Sequence, residues 1–346
     1  MIPSERNGEL SMKGFNEFGV AMTGVFPVRE AVQLAVAAEK LGIGSVWFAE
    51  DYFFRGGIPY LSAAAMATEK IRIGLGVINP YSRHPALISM EFGTLDEMSN
   101  MRTVFGLGSG VPFWMSQMGF SVKKPLSRTR ACVEVIRKIM TGELVNHKDE
   151  FFEVNNVQLI FKPVRPDPPI YLAFEGRMGL SLSGEIGDGA ILSIFNTAGY
   201  VKFAWEQVAK GARKAGRDLT DFEMVSYLPM VLDDDLDKAI DTARKFMKLY
   251  LPHSQAGGPL MKYAGISEET TLAMRETEKN GKDIMPLITD KMVQSLGVVG
   301  DVESCLRQIQ EIVDAGANTP VLFPVPGTDV IQTAETIAKD IVPHLK

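Results

Sequence analysis

The chain has 346 residues, 46% of them hydrophobic and 23% charged, with 32 Gly, 19 Pro and a net charge of −6. This balance belongs to a globular protein and excludes a disordered or collagen-like chain. The acidic charge argues against nucleic acid as main partner, because phosphate binding needs a basic face, and no apolar run approaches the ~18 residues of a membrane span.

The opening MIPSERNGELSMKG lacks the apolar core of a signal peptide and reads as a polar extension over residues 1–15, in a cytoplasmic protein. Phe18–Thr23 is the first strand. Val28, Ala31, Ala35, Ala38 and Leu41 recur at helical spacing, and Gly42 supplies a stop. Ser45–Ala49 and Ile71–Ile78 are the next strands. His84-Pro85 opens a helix, Thr103–Leu107 is a fourth strand, and Pro125–Met140 is helical. His147–Pro169, with Phe151, Phe152, Val154, Val157, Leu159 and Phe161 along it, predicts a small surface hairpin. The rhythm then repeats: strand Ile170–Phe174, helix Met178–Ile186, strand Gly189–Ser193, helix Tyr200–Ala215, strand Met224–Leu232, helix Leu236–Tyr250. Residues 251–297 form a polar insertion, read either as a lid or as solvated helix without a direct role. Helix Val302–Asp314, strand Val321–Phe323 and helix Asp329–Ile341 close the chain.

Short strands alternating with helices demand parallel crossovers, and strands apolar on both faces are buried ones. Eight such units predict one domain, a (β/α)8 TIM barrel with insertions, whose chemistry sits at the C-terminal ends of the strands. A doubly wound sheet is the rival, and it wants a glycine fingerprint after an early strand.

Gly106-Leu107-Gly108-Ser109-Gly110-Val111 is a weak version of that fingerprint. Its last position is Val, and Pro112-Phe113-Trp114 reads against an immediate helix. Glycine here also permits close backbone approach to a flat ring. Arg72–Pro80 holds two Gly inside a strand, which predicts a bulge. His84 reads as a helix-start residue. Glu50 and Asp51, adjacent carboxylates at a barrel strand end beside Tyr52, Phe53 and Phe54, are candidates for acid chemistry. Phe174–Gly179 joins a strand to a helix and is either an ordinary turn or, with Arg177, an anion site. Cys132 and Cys305 lie in helix-like stretches and read as reduced packing residues. His84, His147, His253 and His344 show no paired spacing, so no metal is expected.

Seven stretches in order, GVINPYSRHP (76–85), TLDEMSNMR (94–102), FGLGSG (105–110), PLSRTR (125–130), TGELV (141–145), SGEIGDGAILS (183–193) and LGVVGDVESCL (296–306), carry a resemblance. The chain resembles the luciferase-like flavin and deazaflavin oxidoreductases, on the branch that includes methylenetetrahydromethanopterin reductase. The resemblance implies a ring at the strand C-termini and a non-prolyl cis peptide at Gly76–Val77 behind it. It further implies Asn79 at the ring edge and a phosphate side formed by Glu175, Gly176, Arg177, Met178 and Gly179. Ser109, in the glycine-rich stretch, joins this cofactor-binding set. Three positions depart from the family pattern: Ala21 replaces a strand-one glutamate, Asp51 stands where relatives carry His, and Met101 replaces a Gly, leaving Asn100 to hold a left-handed turn.

The expected function is therefore an oxidoreductase that moves a hydride between coenzyme F420 and a small organic substrate, acting as a homodimer. Asp51 is the expected proton donor or orienting acid and Glu50 the second choice. Met22, Trp47, Phe53, Phe54, Trp114, Phe195 and Tyr227 are candidates for an apolar pocket, about half of them expected to line it. Residue 21 or 22 is expected to face the reacting centre. Since Ala21 carries no charge, a neutral substrate is expected, such as a ketone, alcohol or conjugated alkene. The alternatives are an FMN-dependent monooxygenase and a non-catalytic flavin-binding barrel.

Overall fold

The computed structural model describes residues 17–345; the extension expected over 1–15 lies outside them. In chain order it runs β1 (Gly19–Met22), α1 (Val28–Lys40), β2 (Ser45–Ala49), α2 (Gly57–Ala67), β3 (Arg72–Ile78), α3 (Pro85–Met98), β4 (Thr103–Gly108), α4 (Pro112–Gln117) and α5 (Pro125–Met140). An antiparallel hairpin, β5 (Val145–Lys148) and β6 (Glu153–Val157), follows where one was expected, with Phe152 and Val154 buried beneath it. Then come β7 (Ile170–Ala173), α6 (Arg177–Ile186), β8 (Gly189–Leu192), α7 (Ala198–Ala215), β9 (Glu223–Leu232) and α8 (Leu236–Met247). The insertion carries α9 (Pro259–Tyr263), α10 (Glu268–Lys279) and α11 (Asp290–Leu296). β10 (Val298–Gly300), α12 (Val302–Asp314), β11 (Thr319–Pro324) and α13 (Val330–Thr336) complete the order.

Eight strands close a parallel barrel. β1 pairs with β2 on one side and β11 on the other, and β8 pairs with β9. β10 adds to the upper half of β9, Val298 opposite Met230. The barrel strands are buried almost throughout, as their apolar composition demands. Gly74 makes room inside: a Cβ there would lie 2.1 Å from the Trp47 indole, which fills the barrel and donates to Ser45 Oγ at 3.0 Å. Helix starts follow from side-chain caps at Thr197, Asp235, Ser267, Thr289, Asp301 and Asp329.

At the N-terminal end of the barrel, Arg72 grips Glu223 through both terminal nitrogens at 2.6 and 2.5 Å, and also reaches Glu17 at 2.7 Å. Arg102 spreads over the carbonyls of Ala65, Thr68, Ile71 and Ser99. Beside it Asn100 takes φ +54°, as expected, and Met101 takes φ +64°. Both cysteines are buried thiols, pushed up to about 12 by burial, which suits packing and not reactivity.

Five features differ from the sequence reading. α2 was not anticipated, and neither was the three-residue β10. α4 begins at Pro112, directly after the glycine-rich stretch, because Pro is preorganised for the first helical position. α8 stops at Met247, three residues short of Tyr250, and the last helix widens into a π-type turn over Ile337–Ile341.

Candidate active site

The C-terminal ends of the strands enclose a cavity of about 240 Å³. One wall is nearly free of side chains: Gly76 and Val77 from β3, then Gly108, Ser109 and Gly110 at the end of β4. The Gly76–Val77 peptide is cis, and pairing with β4 slips between Leu75 and Ile78, giving the expected bulge. Glycine is required at 76 by packing, since a Cβ would come within 2.1 Å of Tyr227 Oη. The remaining wall is mostly apolar: Val111, Trp114, Phe174, Ile191, Ile194 and Phe323.

Glu50 and Asp51 both line the cavity, but their surroundings separate their roles. Both Glu50 oxygens already accept: Oε1 from Arg83 Nη1 at 3.1 Å, Oε2 from the backbone N–H of Gly57. Glu50 thus caps the start of α2 and ties it to the β3–α3 loop. Asp51 has one protein partner described, the hydroxyl of Tyr250, which donates to Oδ2 at 3.0 Å. Burial pushes its carboxyl up to about 6; the Tyr250 hydrogen bond works against that and the Glu50 charge works with it. Asp51 therefore exchanges its proton near neutrality, which fits a general acid or base.

Asn79 lines the cavity while building its own loop. Its Oδ1 accepts from the N–H groups of Tyr81 and Ser82, at 2.9 and 3.0 Å, and its Nδ2 donates to Tyr52 Oη. His84 caps α3, its Nδ1 accepting from Ala86 N at 3.2 Å, as expected. Tyr227 Oη is buried without a partner among the described residues, and burial, then the Asp51 charge, push its ionisation up. Two bulky residues beside the cavity take left-handed backbone: Phe53 at φ +67° and Phe195 at φ +74°. Such conformations persist where the surroundings enforce them.

Ser109, Gly110, Val111, Phe174 and Glu175 also belong to a second, outer groove of about 1160 Å³. They form the neck between the two spaces. Burial raises Glu175 above its ordinary range, against a hydrogen bond with Ser193. The far side of the groove comes from the insertion: His253, Ser254, Gln255 and, on α10, Arg275 and Lys279. The His253 ring stacks on Phe113 of α4, with centroids 4.7 Å apart.

Of the expected cofactor residues, Gly76, Val77, Asn79, Ser109 and Glu175 line the inner cavity, and Gly176 lines the outer groove. Arg177 and Met178 open α6 and are exposed, with the Arg177 guanidinium 5.8 Å from the Phe203 ring centre; Gly179 is buried. Of the seven apolar candidates only Trp114 and Tyr227 line the cavity. Met22, Trp47 and Phe195 are core, and Phe53 and Phe54 are exposed. Ala21 and Met22 are likewise buried and outside the lining. Strand β1 ends low in the barrel, so its last residues pack inside instead of facing the mouth. The sequence reading missed Ser193, Ile194 and Phe323, which their strand-end positions marked, and Tyr250, which nothing marked.

A methylenetetrahydromethanopterin reductase from Archaeoglobus fulgidus is 31% identical over 338 residues, 95% of this chain and all of the relative. An F420-dependent glucose-6-phosphate dehydrogenase from Amycolatopsis mediterranei is 26% identical, covering 93% and 95% of the two chains. Among solved structures, the F420-dependent tetrahydromethanopterin reductase of Methanopyrus kandleri superposes with a TM-score of 0.88 at 24% identity, over 96% of this chain and all of that one. An F420-dependent secondary alcohol dehydrogenase superposes at 0.80 with 21% identity, over 96% and 99%, and both share the barrel fold. The sequence profile of the luciferase-like monooxygenases matches residues 8–319, and the chain belongs to that family.

Proposed function

We propose that this chain is an oxidoreductase that transfers a hydride between deazaflavin coenzyme F420 and a small, uncharged organic substrate. The observation that carries the reading is Asp51: one carboxyl, titrating near 6, in the wall of a flat apolar cavity. F420 dependence is supported by the names of the relatives and by the fit of the cavity. A planar ring suits a wall of Gly76, Gly108 and Gly110, where backbone replaces side chains, with Val77 beside them. Asn79, Ser109 and Glu175 lie along the edges of that wall. Gly176, Arg177, Met178 and Gly179 would hold the phosphate end at the start of α6, outside the neck.

When bound, the deazaflavin supplies or accepts the hydride. Reduction of a carbonyl adds that hydride at carbon and a proton at oxygen. Asp51 gives the proton and is left as carboxylate; in the reverse direction it takes the proton from the alcohol. Glu50 stays tied to Arg83 and Gly57 and positions the loop. The apolar wall of Val111, Trp114, Phe174 and Ile191 excludes water. Among the described residues no Lys, Arg or His lines the inner cavity, so it offers no countercharge to an anionic substrate. That favours a ketone, secondary alcohol or conjugated alkene over a sugar phosphate.

Titration with F420 and with FMN tests the reading, each followed by absorbance and then by turnover on ketones, alcohols and alkenes. Tight F420 binding with turnover is expected. FMN binding with oxygen uptake would replace the proposal with a monooxygenase. Binding without turnover would leave a non-catalytic barrel, and efficient reduction of methylenetetrahydromethanopterin would overturn the choice of a small, uncharged substrate.

A further inference from the structure

Asp51 sits directly after β2, and its partner comes from the other side of the barrel mouth, 199 residues later in sequence. Tyr250 lies between α8 and the insertion, half-buried, with its ring 5.1 Å from that of Phe246. The segment after it is held in place: Arg275 of α10 donates to the carbonyls of Pro252 and Ser254, both at 3.0 Å, and His253 stacks on Phe113. The insertion is therefore anchored within a few residues of the hydroxyl that meets Asp51.

We propose that Tyr250 is the positioning residue for the proton-transfer group: its hydroxyl holds the Asp51 carboxyl at the cavity wall and governs how readily that carboxyl gives up its proton. The assignment of proton transfer to Asp51 rests on the function proposed above; the contact itself does not. The other groups facing Asp51 cannot take this part. Glu50, on the same loop, is an acceptor engaged by Arg83 and Gly57, and its charge opposes ionisation of Asp51. Tyr227, from β9, has no hydrogen-bond partner in the structure. Tyr52, next in the chain, is engaged by Asn79 and Ser82. Among the described residues the Tyr250 hydroxyl alone donates to the carboxylate, so its removal leaves burial unopposed.

The test is Tyr250→Phe, which keeps the ring against Phe246 and removes only the donor. Carboxyl titration of the unliganded protein by carbon NMR, with Asp51→Asn identifying the resonance, reads the contact without any substrate. The Asp51 midpoint is expected to move from about 6 to about 7 or above. The pH limb of kcat is expected to move with it, while F420 affinity changes less than twofold. An unmoved NMR midpoint overturns the inference. A moved midpoint with an unmoved kinetic limb confirms the contact and removes Asp51 as the proton carrier, which is a failure of the functional reading alone. Should Tyr250→Phe unfold, Tyr250→Leu, which keeps an apolar side chain and offers no donor, is read in the same way.

Discussion

The two ends of the barrel spend their charged residues in opposite ways. At the N-terminal end Arg72 sits among Glu223, Glu17 and the hydroxyl of Tyr171, and opposite charges meet directly. Burial alone would raise Glu223, but the Arg72 guanidinium holds it below the ordinary carboxylate range. At the C-terminal end Asp51 has no cation among the described residues, a tyrosine hydroxyl is its partner, and burial drives it the other way. Nearby a second tyrosine hydroxyl is unpartnered, and Phe53 and Phe195 are bent into left-handed backbone. One end is arranged for stability. The other holds a buried carboxyl against a neutral hydroxyl, as suits the functional end of a barrel.

The linkage to pH separates Asp51 from Glu223 by sign. Asp51 binds its proton more tightly folded than unfolded. Its stabilising contribution is present below its ordinary value of 3.8 and is lost as pH rises through about 6. Glu223 binds its proton less tightly when folded. Its contribution is present above its ordinary value of 4.5 and is lost as pH falls through the lowered one.

Asp51→Asn removes the buried carboxyl of the C-terminal end. Turnover is expected to fall by about 10²–10⁴-fold with F420 binding retained. In the unmodified protein, kcat for carbonyl reduction should fall as pH rises through about 6, and alcohol oxidation should rise over the same interval. The variant should lose that limb. It should also match or exceed the parent in thermal stability at pH 8, where the parent carries a buried charge. Normal turnover would place the acid elsewhere and make Asp51 a structural residue like Arg72.

Arg72→Ala is the counterpart. Removing the cation leaves Glu223 and Glu17 facing each other, at a cost of about 3 kcal/mol in a urea titration. Activity per folded molecule should persist, because the network lies a barrel's length from the cavity. Tyr227→Phe should act in the opposite sense. It deletes a buried donor without a partner, so the unliganded protein should gain about 1 kcal/mol. A loss of that size would show that the hydroxyl is satisfied in solution and that the two ends differ less than described.

The sequence was legible where the physics is local. Buried parallel strands are apolar on both faces, so all eight barrel strands stood out, and amphipathic helices such as α5, α7 and α12 were read to within two residues. α2 escaped because it has almost no polar face and no cap of its own; its N-terminus is capped by Glu50, seven residues upstream. The glycine-rich wall, the cis bond and Asp51 were legible through the family resemblance together with the barrel rule. The Tyr250 contact was not, because nothing in a local window connects residues 51 and 250. The apolar lining was misjudged for a related reason: large aromatics such as Trp47 and Phe195 went to the barrel core, and smaller strand-end residues such as Val77, Ile191 and Ile194 formed the cavity.

The smallest expected effect compares one substitution at both ends. Met101 and Phe53 are exposed, and both hold left-handed backbone, at φ +64° and +67°. Glycine adopts that conformation without the Cβ clash, although it also gains freedom in the unfolded chain. The two effects leave a net gain of about 0.5 kcal/mol for either Met101→Gly or Phe53→Gly. Their functional consequences should differ. Met101 closes a turn at the N-terminal end, where Arg102 already grips four carbonyls, so its variant should keep full activity. Phe53 belongs to the loop that carries Asp51: Phe54 N–H donates to the Asp51 carbonyl at 3.3 Å, and Arg55 reaches the carbonyls of Gly24 and Val25 at 3.1 and 2.8 Å. Loosening it should lower kcat a few-fold while the denaturation midpoint rises. Stability bought with activity at one end and free at the other is the signature of strain held for function; equal kinetics in the two variants would make Phe53 an ordinary turn residue.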